Sequence, residues 1–157
     1  MNSTSIDRLW TGGPTETPIG PVWAAVSDLG LAAIEIGGEN GTFLQGLAAR
    51  YGVPVTPCES KTETILRQVK AYLLGQRRDF DLPIHWEFMS AFQQKTLRAV
   101  HQIPYGETRT YGQIAAQIGA RRAPRAVGGA NATNPMPLVI PCHRLVGADG
   151  SLRGYGG

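Results

Sequence analysis

Three prolines and a cysteine within eleven residues constrain this chain more than any other feature. The stretch runs from Asn134 to Arg144 and reads NPMPLVIPCHR. Its apolar run, residues 138–140, is short, partly β-branched and bounded by breakers, which predicts a buried strand. A residue that precedes proline favours extended backbone, so Ile140 should lead straight toward Cys142. The pattern therefore predicts a cysteine at the end of a rigid strand.

A histidine directly after the cysteine makes Cys142 a candidate nucleophile. The thiolate is the reactive form of cysteine, and a nearby histidine can take up the thiol proton. Neighbouring strand residues point to opposite faces, so His143 reaches the thiol only if the chain turns or a water relays the proton. The alternative is a small buried core residue, the usual place of a free cysteine.

Charge is distributed unevenly along the chain. Residues 1–84 contain seven Lys/Arg and nine Asp/Glu, whereas residues 85–157 contain eight and three. This asymmetry indicates that the second part faces a polyanion, the alternative being a solvated basic surface. The two cysteines make no disulfide framework, the three histidines lack metal-ligand spacing, and no apolar run could span a bilayer. We therefore expect a cytoplasmic protein without metal or membrane association.

Periodicity and capping signals predict an α+β chain with two domains, residues 1–84 and 85–157. The first should contain a loose lead-in over residues 1–16, a β-hairpin over 19–36, a helix over 42–50, a second helix capped by Ser60 and Glu63, and a short edge strand over 80–84. In the second, one helix should follow Ser90 and another Thr110. A third should span Pro124–Ala132, so that the last two form a helix-turn-helix.

Small residues dominate the predicted helix Pro124–Ala132. Its adjacent glycines, Gly128 and Gly129, cost about 1 kcal/mol each relative to alanine in a helix interior. Either tight packing on a neighbouring element or close approach to a nucleic-acid backbone would offset that cost.

The motif Pro141-Cys142-His143-Arg144 resembles the acceptor motif of the O6-alkylguanine-DNA alkyltransferases, also called methylated-DNA–protein-cysteine methyltransferases. Other segments match that family in order and spacing: IPYGET at 103–108, YGQIA at 111–115, RAVGGA at 125–130, NP at 134–135 and GYGG at 154–157. The resemblance is specific from about Phe92 to the end and weaker at residues 17–21.

The resemblance implies both a fold and a reaction. The fold would be a small ribonuclease H-like N-terminal domain, which supports a winged-helix-like C-terminal domain with a helix-turn-helix. The reaction would be cofactor-free transfer of an alkyl group from O6-alkylguanine, and from O4-alkylthymine, in double-stranded DNA to Cys142. Each molecule, a monomer in solution, would act once because the thioether formed is stable.

Roles for individual residues also follow from the resemblance. His143 would deprotonate Cys142 through a water, Asn134 would brace the site, and Tyr111 would donate to N3 of the leaving guanine. The helix 125–132 would enter the minor groove, where Arg125 would fill the gap left by the flipped base. Further DNA contacts would come from Ala126, Gly128, Tyr111 and Arg144, and the alkyl pocket would be lined by Pro137, Tyr155 and Gly156.

One departure from the family concerns the C-terminus. In the family a last helix carries a glutamate that orients the histidine, and this chain stops at Gly157 without that helix. A histidine that lacks its orienting carboxylate loses basicity and tautomer preference. A piece of a longer protein would be fully active in its longer form, whereas a natural end at Gly157 predicts slow transfer.

Three other functions are alternatives. A non-enzymatic, alkyltransferase-like protein would flip damaged guanine and mark it for other repair, but such relatives lack the acceptor cysteine. A cysteine hydrolase would need a separate histidine with an Asn or Asp partner, and none stands out. A plain DNA-binding regulator would explain the helix-turn-helix and the arginines while leaving residues 141–144 without a purpose.

Overall fold

The computed structural model describes residues 6–152 of the 157-residue chain. The chain divides into two compact units, Met1–Phe88 and Met89–Gly157. Within the described residues, the first unit holds a four-stranded sheet and two helices, and the second holds three α-helices and a two-stranded ladder. The architecture is therefore mixed α+β, as predicted.

The first unit is built on a sheet in the order β3-β2-β1-β4. Its elements are β1 (Leu9–Thr17), β2 (Gly20–Ser27), β3 (Gly30–Ile36), α1 (Asn40–Tyr51), β4 (Val55–Pro57) and α2 (Glu59–Leu73). Strand β4 runs parallel to β1, and the other neighbours are antiparallel. The predicted hairpin and both helices are confirmed, and Gly52 ends α1 in the left-handed region as its position suggested.

The predicted loose lead-in is wrong, because residues 9–17 form β1 between β2 and β4. Leu9 and Thr11 are buried, and the register shifts between Gly12 and Thr15, which lets a Gly-Pro pair sit in an inner strand. The predicted capping box is wrong as well, since α2 begins at Glu59 and its N-cap Cys58 makes no side-chain cap bond. The predicted edge strand reduces to one bridge, between Leu31 and Ile84.

The second unit contains α3 (Ala91–His101), β5 (Arg109–Thr110), α4 (Tyr111–Gln117), α5 (Pro124–Ala132), a 3-10 helix (Cys142–Arg144) and β6 (Leu145–Val146). Helix starts match the prediction because the caps are local. Ser90 Oγ accepts from the Gln93 backbone N–H, and Thr110 with Gln113 forms a complete capping box. Helices α4 and α5 pack against each other, as expected for the predicted helical pair.

Strands β5 and β6 hold the start of α4 and the cysteine motif next to each other. They pair in parallel, Arg109 with Leu145 and Thr110 with Val146. The residue after β5 is Tyr111, and the residues before β6 are the 3-10 helix. The ladder therefore holds the start of α4 beside the cysteine motif. The core beneath is apolar and close to fully buried, and it includes Leu97, Val100, Ile114, Val127, Met136, Ile140 and Leu145.

Candidate active site

The segment predicted as a buried strand, residues 138–140, is a turn. Leu138 has a φ of +71°, in the left-handed region that side-chain-bearing residues rarely adopt. Pro137 and Ile140 face each other in an isolated bridge, and the Ile140 N–H donates to the Met136 carbonyl at 2.9 Å. The strand prediction fails because prolines at 135, 137 and 141 remove the backbone donors that a sheet ladder needs.

Asn134 clamps this turn at both ends. Its Oδ1 accepts from the Met136 N–H at 2.9 Å, and its Nδ2 donates to the Ile140 carbonyl at 2.9 Å. A left-handed leucine costs about 1–2 kcal/mol, and such backbone persists where the surroundings over-determine it. The clamp supplies that constraint, and so the turn enters Pro141 in one defined direction.

Cys142 begins the 3-10 helix, immediately after a tight turn at Pro141. The backbone angles of Pro141, φ −79° and ψ 66°, and a 2.8 Å bond from the Cys142 N–H to the Ile140 carbonyl define an inverse γ-turn. The chain therefore turns at the motif, which is one of the two arrangements that the sequence left open for His143. Cys142 is only 7% exposed.

The thiol and the imidazole differ in the direction of their pKa shifts. Burial raises the pKa of the Cys142 thiol, while the Asn134 amide and the backbone N–H groups of Cys142 and His143 lower it in part. Burial, followed by the positive charge of Arg144, lowers the pKa of His143 below 6.5. These directions favour a protonated thiol and a neutral imidazole at neutral pH.

Tyr111 enters the site as the first residue of α4, directly after the Thr110 cap. Burial raises the pKa of its phenol, and the negative charge of Cys142 adds to this shift, so the two side chains lie within electrostatic reach. Its ring packs on α5, because a Cβ at Gly128 would lie 3.7 Å from the ring carbon Cε1. A Cβ at this distance would make an ordinary van der Waals contact, so packing on Tyr111 alone does not require glycine at 128. The raised pKa keeps Tyr111 a proton donor.

Helix α5 presents a smooth outer face. Arg125 and Ala126 lie exposed in its first turn, after Pro124 at the first position, and Gly129 and Ala132 continue the exposed side. A Cβ at Gly129 would meet no atom within 4 Å. Packing therefore does not explain Gly129, and the only long side chain on this face is that of Arg125.

Other predicted site residues lie as follows. The Arg144 guanidinium donates to the Ile103 carbonyl at 2.7 Å and lies 5.5 Å from the centroid of the Tyr105 ring, so it joins the 3-10 helix to the segment after α3. Pro137 is half-buried opposite Ile140. The predicted pocket residues Tyr155 and Gly156 lie outside the described residues.

Sequence reasoning missed Asn131. This residue of α5 is 4% exposed, and its Nδ2 donates to the Cys142 carbonyl at 3.3 Å. Its Oδ1 is buried without a hydrogen-bond partner. The available signal was a carboxamide in a helix rich in small residues, three residues before Asn134.

Residues 6–152 contain no group of three or more His, Cys, Asp or Glu side chains arranged to hold a metal ion. Within the same range, no helix has the length and apolar character needed to cross a membrane.

Comparison with known proteins agrees with this geometry. Residues 91–157 match the family model described as "6-O-methylguanine DNA methyltransferase, DNA binding domain". The chain is 43% identical over 142 residues to the methylated-DNA–protein-cysteine methyltransferase of Methanosarcina barkeri, covering 89% of this chain and 84% of the relative. The chain belongs to the methylated-DNA–protein-cysteine methyltransferase family. The family member of Mycolicibacterium paratuberculosis is 52% identical over 92 residues, which cover 59% of this chain and 55% of the relative.

Solved structures of the family share the fold. The crystal structure of Mycobacterium tuberculosis OGT in complex with DNA superposes with a TM-score of 0.76 at 36% identity, covering 95% of this chain and 84% of that chain. The O6-methylguanine-DNA methyltransferase of Pyrococcus kodakaraensis gives a TM-score of 0.65 at 25% identity, with coverages of 94% and 92%. The family resemblance inferred from the sequence is confirmed.

Proposed function

We propose that this protein repairs DNA by transferring an alkyl group from O6 of guanine, or from O4 of thymine, in duplex DNA to Sγ of Cys142. Each molecule acts once, because the thioether is stable and nothing in the reaction removes it. The observation that carries the proposal is the nearly buried Cys142 thiol, which precedes His143 directly in the chain and lies within electrostatic reach of the Tyr111 phenol.

The reaction balances with the chain's own groups. His143 takes the thiol proton through a water, and Sγ attacks the carbon bound to O6. The S–C bond forms as the C–O6 bond breaks, and the electron pair stays on the guanine. Tyr111 donates its proton to N3 of the departing base, and the imidazolium then returns a proton to the phenolate. The net change is the loss of one proton by the thiol and the gain of one by the guanine, with His143 and Tyr111 restored and no cofactor used.

The outer face of α5 would lie in the minor groove. Its exposed residues after Arg125 carry nothing larger than a methyl group as far as Ala132, so DNA can approach the helix closely. Extruding a nucleotide costs a few kcal/mol, and the Arg125 side chain would occupy the vacated stack. Ala126 and Gly128 would also contact the DNA from α5, and Arg144 would contact it from the 3-10 helix.

The connection between α4 and α5 would contribute phosphate contacts. Residues 119–123 line a shallow depression of about 450 Å³, and two exposed arginines stand in it, Arg121 and Arg122. Neutralising phosphates with arginine releases counterions, so this contact would make binding strongly salt-dependent.

The finer description of the fold belongs to the same proposal. The sheet with helices α1 and α2 supports a ribonuclease H-like first domain, and α4, α5 and the β5–β6 ladder support a winged-helix-like second domain. We keep the predicted domain boundary between residues 84 and 85, four residues before the division between the two compact units, and expect a monomer in solution.

The test is the intact mass of the protein after incubation with excess duplex that carries O6-methylguanine, followed by peptide mapping. We expect one added methyl group, located at Cys142, with no further gain at longer times. Cys142→Ser should gain none while it still binds the duplex. Cys58→Ser is the matched control, because it removes the other, more exposed thiol and should accept methyl like the parent.

Two results would contradict the proposal. Methyl transfer by Cys142→Ser would remove the nucleophile assignment. An unmodified parent that still prefers lesion-bearing duplex would identify a lesion-binding protein instead.

A further inference from the structure

Two carboxamides of one segment converge on the cysteine motif. Asn134 holds the Ile140 carbonyl, and Asn131, three residues earlier, holds the Cys142 carbonyl at 3.3 Å. Asn131 is 4% exposed and its Oδ1 has no partner, so its burial is unfavourable compared with an apolar side chain of the same size. A residue kept at such a cost calls for a role beyond filling space.

The assignment of the Asn131 amide follows from its neighbour. A carbonyl oxygen only accepts hydrogen bonds, so the Nδ2 group, and not Oδ1, must face the Cys142 oxygen. The Leu145 N–H donates to the same oxygen and closes the 3-10 helix. Cys142 O therefore receives one donor from the backbone and one from α5, which matches its two lone pairs.

Holding this oxygen also determines the direction of an N–H group. The Cys142 carbonyl and the His143 N–H belong to one planar trans peptide, in which C=O and N–H point in opposite directions. Hydrogen bonding by the backbone of His143 is among the causes that lower the pKa of the Cys142 thiol against the larger effect of burial. A donor on the carbonyl also polarises the peptide and strengthens the N–H as a donor.

We propose that Asn131 is a positioning residue that holds the Cys142–His143 peptide so that the His143 N–H points at Sγ. Its importance for repair rests on the proposed function, but its effect on the thiol does not require DNA. Because Asn131 and the exposed Arg125 lie on the same helix, the element that would meet the minor groove also holds the nucleophile's backbone.

The test measures thiol reactivity across pH in the full chain. A Cys58→Ser background leaves Cys142 as the one thiol that can be alkylated. The rate of alkylation by iodoacetamide follows the thiolate fraction. Asn131→Leu keeps the volume and removes the donor. We expect its pH midpoint to rise by about 0.5–1 unit, which corresponds to roughly three- to ten-fold slower alkylation below the midpoint, as for the loss of one hydrogen bond.

Thr96→Val is the matched control. It removes another buried polar atom without a hydrogen-bond partner, from α3, which packs against α5. Its pH midpoint should equal that of the parent. A folded Asn131→Leu protein with a parental midpoint would overturn the proposal and reduce Asn131 to a space-filling residue, even if its thermal stability changed.

A second variant covers the case in which Asn131→Leu does not fold. Asn131→Ala removes the donor and adds neither charge nor volume, so a rise in its midpoint would reflect the lost hydrogen bond to the Cys142 carbonyl. Its midpoint should also rise, and a parental midpoint would again overturn the proposal. If the parent fails to accept methyl from O6-methylguanine duplex while these shifts are observed, the proposed function fails and the positioning role stands.

Discussion

Replacing Gly129 with alanine should stabilise the protein and weaken its binding to DNA. Gly129 is the sixth residue of the nine-residue helix α5, and a Cβ there would meet no atom within 4 Å. The substitution therefore brings neither clash nor contact within the chain. What remains is the difference in helix propensity, about 0.5–1 kcal/mol in favour of alanine. For a chain of this size the melting temperature should rise by about 1–4 °C.

The same methyl group would stand on the face that we place against DNA. Inserting a methyl group into a close-packed contact costs about 1–3 kcal/mol, so affinity for the lesion duplex should fall roughly five-fold or more. Thermal denaturation would measure the change in melting temperature, and fluorescence anisotropy would measure the change in affinity on the same preparation. A gain in stability together with a loss of affinity is the result expected if this face lies against DNA.

Gly46 provides the matched control for this experiment. It lies exposed within α1, in the first unit, and a Cβ there would also meet nothing within 4 Å. Gly46→Ala should bring a similar gain in stability with unchanged DNA affinity. If Gly129→Ala binds the lesion duplex like the parent, the smooth face of α5 does not lie against DNA. If it lowers the melting temperature, the propensity argument is refuted.

Four further outcomes are expected. Arg125→Ala should weaken binding to lesion duplex more than to undamaged duplex in paired titrations, and equal losses would reduce Arg125 to a phosphate contact. DNA affinity should fall steeply with added salt, and a flat titration would contradict a basic contact surface. Single-turnover transfer should decline as pH falls below the lowered pKa of His143, because an imidazolium cannot take the thiol proton; a rate unchanged through that range would exclude His143 as the base. Burial lowers the pKa of His85 below 6.5, so its neutral form contributes stability that is complete above pH 6.5 and is lost on acidification. Urea denaturation between neutral pH and about pH 5 would detect this loss.

Sequence patterns predicted the elements whose signals are local. The start of α4 follows from Thr110 and Gln113, whose side chains form the capping box within four residues of chain. Helix α5 begins at Pro124, a residue preorganised for the first helical position. The motif that revealed the family is also local, so the cysteine and its histidine could be singled out without coordinates.

The failures share a physical cause, which is that non-local partners decide the outcome. Residues 9–17 look like a polar lead-in, yet pairing on both sides makes them an inner strand. Residues 138–140 have the composition of a strand, but the Asn134 amide closes them into a turn and Leu138 accepts the left-handed conformation. Asn131 escaped notice because its partner, the Cys142 carbonyl, lies eleven residues away.

The two-residue ladder between β5 and β6 has a consequence for how this protein can be altered. Backbone hydrogen bonds, and no side chains, join the residue before Tyr111 to the segment that directly follows the 3-10 helix. The chain between the two strands, which includes α4 and α5, is one continuous segment that begins and ends at this ladder. The segment between β5 and β6 could therefore be replaced as a unit by that of a relative, with the junctions placed in the two strands. The backbone pairing of the strands would preserve the spacing of the tyrosine and the cysteine. Such a graft would carry the tyrosine, both asparagines and the cysteine together, since Tyr111, Asn131, Asn134 and Cys142 all lie between the two strands.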